Sequence, residues 1–473
     1  MRTDFNRNLG YSTISGEQFD KIHYATLDIL ERIGVNVFSK EAVELLKNAG
    51  ARIRGDRVFI PPSLVKQALA TAPSSIHVSN RSGARAMILE NGRSYYGTGS
   101  DTPNVIDINT GEHRKAVKQD VADSARLCDA LKNVDFVMSM GLASDVPRDR
   151  SYVHQFEAMV LNTEKPILYT AGNLRDIKDI YEMACLATGG EDKLGERKFI
   201  ILYNEPNSPL YHTTEALDKL LFCAEKQIPV IYAPAVIMGA TGPVTLAGSL
   251  AQANAEILSG LVIHQLKSKG APFIAGGGAP PMDMRTTVCS YGAPERDMTC
   301  TALVALARYY DLPVFTTAGC SDAHSFDQQA GLEMGFNLLI SGLAGGNLIH
   351  DIGYLGIGMT ASMEATVLCN EGIGMVRRLL RGIEVNDETL ALDIIEEVGP
   401  GGNYIAEEHT MENFRENISS SELLNRDVYD NWKAAGSLTF GDRANRKVKE
   451  ILETHKVRAL PEDTVTKIKA IIA

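Results

Sequence analysis

The residues of this 473-residue chain that could do chemistry recur at one kind of place, just after a short apolar run. Gly99-Ser100-Asp101, Gly172-Asn173, Asn204-Glu205-Pro206-Asn207-Ser208, Ser321-Asp322-Ala323-His324 and His350-Asp351 all follow such runs. The richest is GGNLIHDIGYLGIGMTASME, residues 345–364, where Asn347-Leu348-Ile349 reads as a strand ending in His350, Asp351 and Tyr354. Its glycines let the backbone bend and approach a ligand closely. Each polar residue also has an ordinary structural reading. Asp101, Asn173 and Ser208 suit helix caps or turns, Glu205 a strand-end carboxylate held by backbone N–H groups, and His324 a solvated loop. As a set, at the same end of successive strands, they predict a convergent site.

Several chemistries lack their signature. A Ser-His-acid hydrolase of the nucleophile-elbow type needs GxSxG, which the sequence does not contain. The GTGSD run at residues 97–101 is not the GxGxxG of dinucleotide binding. A phosphate site late in the chain would need a basic residue where the sequence offers Asp322, Asp327 and Asp351. Tyr95, Tyr96, Tyr203, Phe326 and Tyr354 near strand ends, together with the acids, instead suit an alkylammonium cation held by ring faces. Ordinary packing is the competing reading for these rings, strongest for Tyr203. Two other functions stay open on the residues alone: a lyase or hydrolase using Glu205 and His350 as acid and base, and a non-catalytic amine-binding protein.

Short apolar strands at residues 94–99, 136–141, 167–171, 199–204, 229–233, 272–275, 313–317 and 347–351 alternate with amphipathic helical segments. About eight strand-helix units over this length predict a (β/α)8 TIM barrel spanning 91–381. Residues 1–90 predict a helical N-terminal region: Ser15-Gly16-Glu17-Gln18 signals a helix start, Glu41 to Asn48 stops at Gly50, and Pro61-Pro62 opens another helix. Residues 382–473 predict a helical C-terminal region broken at Gly399-Pro400-Gly401-Gly402, with the single Trp432 as a packing anchor.

Hydrophobic residues make up 44% of the chain and charged residues 22%, which is enough to build a large core. The apolar runs are far shorter than the roughly 18 residues of a membrane span, and MRTDFNRNLG carries no apolar signal core, so a cytoplasmic location is expected. A formal charge of -12 disfavours nucleic acid and anionic membranes and favours a cationic small molecule. Seven scattered cysteines form no metal-binding pattern, and no structural metal is expected.

Longer strings add a resemblance. YYGTGSDTPNVID, EPNSPL, YAPAVIMGATGPVTLAGSLAQANAEILSG, SDAHSFDQQAGLE and GPGGNYIAEEHT, with Phe414-Arg415 and Asn425-Arg426, together resemble the trimethylamine methyltransferase superfamily over nearly the whole chain. The resemblance implies a barrel that passes a methyl group to the cobalt(I) of a corrinoid carried by a separate partner protein. It also implies a place in anaerobic one-carbon metabolism. The chain shows no pyrrolysine, which points to the branch that demethylates quaternary amines: glycine betaine first, proline betaine or carnitine as alternatives. In such a transfer the leaving group is a neutral amine, so positioning suffices and no catalytic acid, base or nucleophile is expected. On this reading Tyr95, Tyr96, Asp101, Asn173, Glu205, Phe326, His350 and Tyr354 contact the substrate. His350 or Asn173 would orient a substrate carboxylate, while Ser321, His324 and Gln328 face the corrinoid. Asp351 is expected to point away from the mouth, and the chain to form a homo-oligomer.

Overall fold

Strands with continuous apolar sequence are stable only when both faces are covered. In the computed structural model, which describes residues 10–472, such strands form a parallel ring. They are β1 (Tyr95–Thr98), β2 (136–137), β3 (Ile167–Tyr169), β4 (Ile200–Asn204), β5 (Val230–Tyr232), β6 (Phe273–Gly276), β7 (Val314–Thr317) and β8 (Leu348–Ile352). Seven of them pair in the order β1-β8-β7-β6-β5-β4-β3. β2 joins its neighbours by single parallel bridges, Gly97 to Phe136 and Val137 to Ile167, and closes the ring.

One helix follows each strand: α1 (Lys118–Ala130), α2 (Ser151–Asn162), α3 (Leu174–Thr188), α4 (Thr214–Lys226), α5 (Leu246–Lys267), α6 (Pro294–Tyr309), α7 (Gln328–Ala344) and α8 (Met363–Arg381). The architecture is the expected (β/α)8 barrel. Local sequence sets the helix ends: Asn173 accepts from the backbone N–H of Arg175 and Asp176 to start α3, and left-handed Gly189 ends it. Asp327 and Gly345 do the same for α7.

Side chains alternate across each strand. Phe136, Met138, Leu168, Ile201, Ile231, Ile274, Phe315 and Leu348 fill the ring, while Val137, Ile167, Ile200, Leu202, Val230, Phe273 and Ile349 face the helices. A hairpin, Ile76–Ser79 with Arg85–Leu89, inserts Ile76, Val78, Met87 and Leu89 under the inner cluster. It sits at the strand starts, where the Ile88 N–H donates to Tyr95 and Asn347 donates to the Glu90 carbonyl. The lower end is thereby plugged, and the carboxyl ends of the strands remain as the open mouth.

The N-terminal region carries strands as well as the expected helices. Besides helices Gly16–Asp28, Lys40–Asn48 and Pro62–Thr71 it holds the hairpin Arg52–Arg54 with Arg57–Phe59, turning at Gly55-Asp56, and Val35–Val37. Three-residue strands carry too little alternation to stand out, and Gly55 at positive φ was the available signal. Val35–Val37 also pairs in parallel with Tyr211–His212, which ties the loop after β4 to this region. α5 is the one helix among the described residues long and apolar enough to cross a membrane, and 83% of that stretch is buried inside the fold. In the C-terminal region Phe440–Thr454 packs against α8 and α1, Glu462–Ile472 against α3, and Trp432 donates to the Leu438 carbonyl within its own segment.

Candidate active site

The mouth is built from strand ends and the loops that follow them. After β1, Gly99 lets the chain pass so close to the Tyr354 ring that a Cβ there would lie 2.3 Å from it. Asp101 comes next, in the left-handed region at φ 65. Its N–H donates to Ser139 Oγ at 3.1 Å, and Ser139 donates back to Oδ1 at 3.3 Å. Burial pushes the Asp101 carboxyl above the usual range, against donors from Ser100, Thr170, Ser139 and Gln155 that pull it down. Those donors are all neutral.

Glu205 directly follows β4 and accepts from the Tyr203 hydroxyl. It stays solvent-accessible while crowded by protein at the strand ends, and this desolvation raises its carboxyl above the ordinary glutamate range. Tyr203, His350 and Lys219 oppose the rise, and Asp101 adds to it. The loop that carries Glu205 is clamped from α5. Buried Glu256 accepts from Ser208 at 2.6 Å, the Leu210 N–H at 2.9 Å and Gln252 at 3.0 Å, and burial still pushes its carboxyl up to about 7.

His350 faces into the ring, stacked on Phe315 with centroids 4.0 Å apart and lying 5.9 Å from the Tyr203 ring. Its Nδ1 is 2.8 Å from Asp351 Oδ1 without hydrogen-bond geometry, which leaves Nε2 as the atom a ligand would meet. Asp351 overturns the alternation expected of it. It takes φ 78 at a break in register between Ile349 and Ile352, so its side chain turns inward. There it accepts from Thr317 Oγ1 at 2.6 Å and lies 3.3 Å from Arg296 of α6. Burial pushes its carboxyl up, but His350, Arg296 and Thr317 outweigh that and hold it below the usual range.

Four more residues complete the mouth. The Tyr354 hydroxyl donates to the Ser100 carbonyl. Tyr291, carried by the loop after β6, lies under the Arg296 guanidinium at 4.6 Å, and Asp322 accepts from the Tyr291 N–H at 2.7 Å. Tyr152 at the start of α2 packs near Gly172, close enough to Asp101 and Glu205 for their charges, after burial, to help push its hydroxyl up to about 12. Tyr152, Tyr291, Arg296 and Gln155 are absent from the sequence-derived set. Only Tyr291 had a signal, an aromatic beside a glycine in a strand-end loop.

Other expected residues lie elsewhere. Tyr96 alternates outward, fully buried behind the wall with Arg377 of α8 at 5.7 Å from its ring, so it offers the mouth no face. Tyr95 sits at the plugged end. Asn173 is the N-cap of α3, and Phe326 packs on Phe440 at 6.2 Å. Ser321 is fully buried and donates to Glu333, which removes it from any surface that could face a corrinoid. His324 and Gln328 are exposed around the loop after β7. Asp101, Glu205, His350 and Tyr354 do converge.

Residues 4–473 match the model of the family described as trimethylamine methyltransferase. The chain belongs to that family. It is 35% identical over 465 residues to the trimethylamine methyltransferase of Desulfitobacterium hafniense, covering 98% of this chain and 94% of that one. To the glycine betaine methyltransferase of a second strain of that organism it is 30% identical, with 98% and 97% covered. Among solved structures, the monomethylamine methyltransferase of Methanosarcina barkeri superposes with a TM-score of 0.51 at 11% identity, over 94% of this chain and 89% of that chain, a likeness of fold. The protein is a methyltransferase, which displaces the lyase and binding-protein readings of the strand-end acids. Among the described residues no cluster of His, Cys, Asp and Glu could hold a metal ion.

Proposed function

We propose that the barrel mouth binds a quaternary ammonium substrate and presents one N-methyl group to the cobalt(I) of a corrinoid carried by a separate protein. The supporting observation is that Asp101 and Glu205 make no salt bridge among the described residues, although both sit crowded among Tyr152, Tyr203 and Tyr354. Two carboxylates kept from their counterions, at the edge of an aromatic lining, form a site for a cation that cannot donate hydrogen bonds. Arg296 is already committed to Asp351 and Thr317. Lys219 donates to the Ala171 carbonyl at 2.7 Å.

The side chains at the mouth fit an acceptor that arrives from outside. The nearby thiols of Cys300 and Cys320 are buried, and burial pushes the Cys300 thiol up to about 11, so the chain offers no thiolate to the methyl group. A corrinoid in the cobalt(I) state would supply the nucleophile. The chain's own residues hold the ammonium, aim one N–CH3 bond outward and limit water. The C–N bond breaks with its electron pair on nitrogen, which leaves a neutral tertiary amine that needs no proton. His350, through Nε2, is the donor we assign to the carboxylate of a betaine, and glycine betaine is the proposed first substrate. A cytoplasmic setting follows from a reduced corrinoid acceptor.

The test is a panel of methylated amines assayed anaerobically with and without cob(I)alamin. Demethylation of a quaternary amine only in its presence supports the proposal. Turnover without it, or transfer from none of the quaternary amines, overturns it.

A further inference from the structure

The C-terminal region departs from the burial pattern of the rest of the molecule. Of the twenty-five large hydrophobic side chains exposed among the described residues, twelve lie between residues 383 and 429. The most open are Ile383 at 83%, Ile405 at 79% and Val385 at 72%. Helices Asp387–Leu390, Leu392–Val398, Glu408–Asn417 and Tyr429–Ala434 bury no residue. Runs such as Leu392-Asp393-Ile394-Ile395 are not the composition of a solvated tail. This chain's own fold holds the segment by polar contacts, Arg378 and Arg381 of α8 donating to the carbonyls of Asn417 and Glu416 at 3.0 and 2.7 Å, and near its end by Leu423, which joins the core.

A second apolar set stands uncovered nearby. Leu332 (73%) and Phe336 (50%) on α7, with Met375 (50%) and Leu379 (57%) on α8, are spaced four residues apart on the outer faces of two packed helices. Two surfaces of matching chemistry thus fail to meet within one chain.

We propose that residues 383–429 form an arm that packs on the α7–α8 flank of a second copy, each copy giving an arm and receiving one in a two-fold dimer. Charge selects arm on flank over arm on arm. Residues 383–398 carry six carboxylates and no Lys or Arg, whereas α8 ends in Arg378 and Arg381, whose guanidinium groups meet carbonyls but no carboxylate among the described residues. Position separates this surface from any methyl acceptor, because α8 runs away from the mouth and the arm leaves from its far end. The area suffices: a large apolar side chain covers roughly 60–120 Å2. Twelve partly exposed ones therefore offer on the order of 800 Å2, the share of each partner in a standard interface.

Sedimentation velocity of the full chain, over a wide concentration range, tests the proposal. The wild type should sediment as a dimer or an assembly of dimers. The pair Val385→Asp with Ile405→Asp, and independently Met375→Asp with Leu379→Asp, should each lower the mass at least twofold while leaving the melting temperature of the barrel in place. A monomeric wild type overturns the proposal, as do variants of both kinds that keep the wild-type mass. Hydrogen exchange on the wild type needs no variant: amides of residues 387–417 should lose protection on dilution, and protection independent of concentration would contradict the exchanged arm.

Discussion

Replacing Glu205 by Gln removes one of the two unpaired carboxylates while keeping an oxygen for the Tyr203 hydroxyl. A unit-charge pair about 5 Å apart is worth about 3 kcal/mol at an effective dielectric near 20 and under 1 kcal/mol in bulk water. Glu205 lies between these limits, crowded yet solvent-accessible. A loss of about 1–2 kcal/mol is expected, roughly a five- to thirtyfold rise in KM for a quaternary ammonium. The turnover number should hold or increase. The substrate's charge fades as the methyl group leaves, so the carboxylate stabilises the ground state more than the transition state. Steady-state methyl transfer to cob(I)alamin separates the two parameters. A kcat that collapses at unchanged KM would refute the reasoning and make Glu205 a participant at the reacting atoms.

Three other expectations follow from the same geometry. His350→Ala should weaken glycine betaine by about 1.5–3 kcal/mol, the worth of a hydrogen bond to a charged group, and change tetramethylammonium much less; equal losses measured by calorimetry would remove the carboxylate assignment. Tyr96→Phe should leave substrate affinity unchanged and keep or raise the melting temperature, because the hydroxyl it deletes is buried without a partner; a KM effect would place Tyr96 at the mouth after all. Tetramethylammonium keeps its charge at every pH, so the pH dependence of its binding reports the protein. The Asp101 and Glu205 carboxyls are both raised, so they take up protons above the ordinary carboxylate range and affinity should fall as pH drops through that raised range. A flat binding curve would show that neither carboxylate meets the cation.

The barrel was legible in the sequence because period and punctuation agree: apolar runs are followed by capping residues such as Asn173 and Asp327, and glycines such as Gly189 and Gly345 end the helices. The site was legible only in part. Glu205 directly follows a strand with regular alternation, and His350 lies two residues after inward Leu348, before the irregularity takes effect, so position along the chain predicts where they point. Tyr96 was misplaced because one residue of register decides between the mouth and the helical layer, and Tyr95, which does face inward, sits one layer too low. Asp351 escaped the rule through its positive φ, which periodicity cannot reveal. Arg296 and Tyr152 come from the first turns of helices, and only the closed ring brings them beside the strand ends.

The most direct measurement uses glycine betaine carrying deuterated N-methyl groups, incubated anaerobically with this protein and cob(I)alamin, with mass spectrometry of both products. The account predicts trideuteromethylcobalamin and dimethylglycine in equal amounts. Betaine that keeps all three deuteromethyl groups, or dimethylglycine released without methylcobalamin, would contradict it.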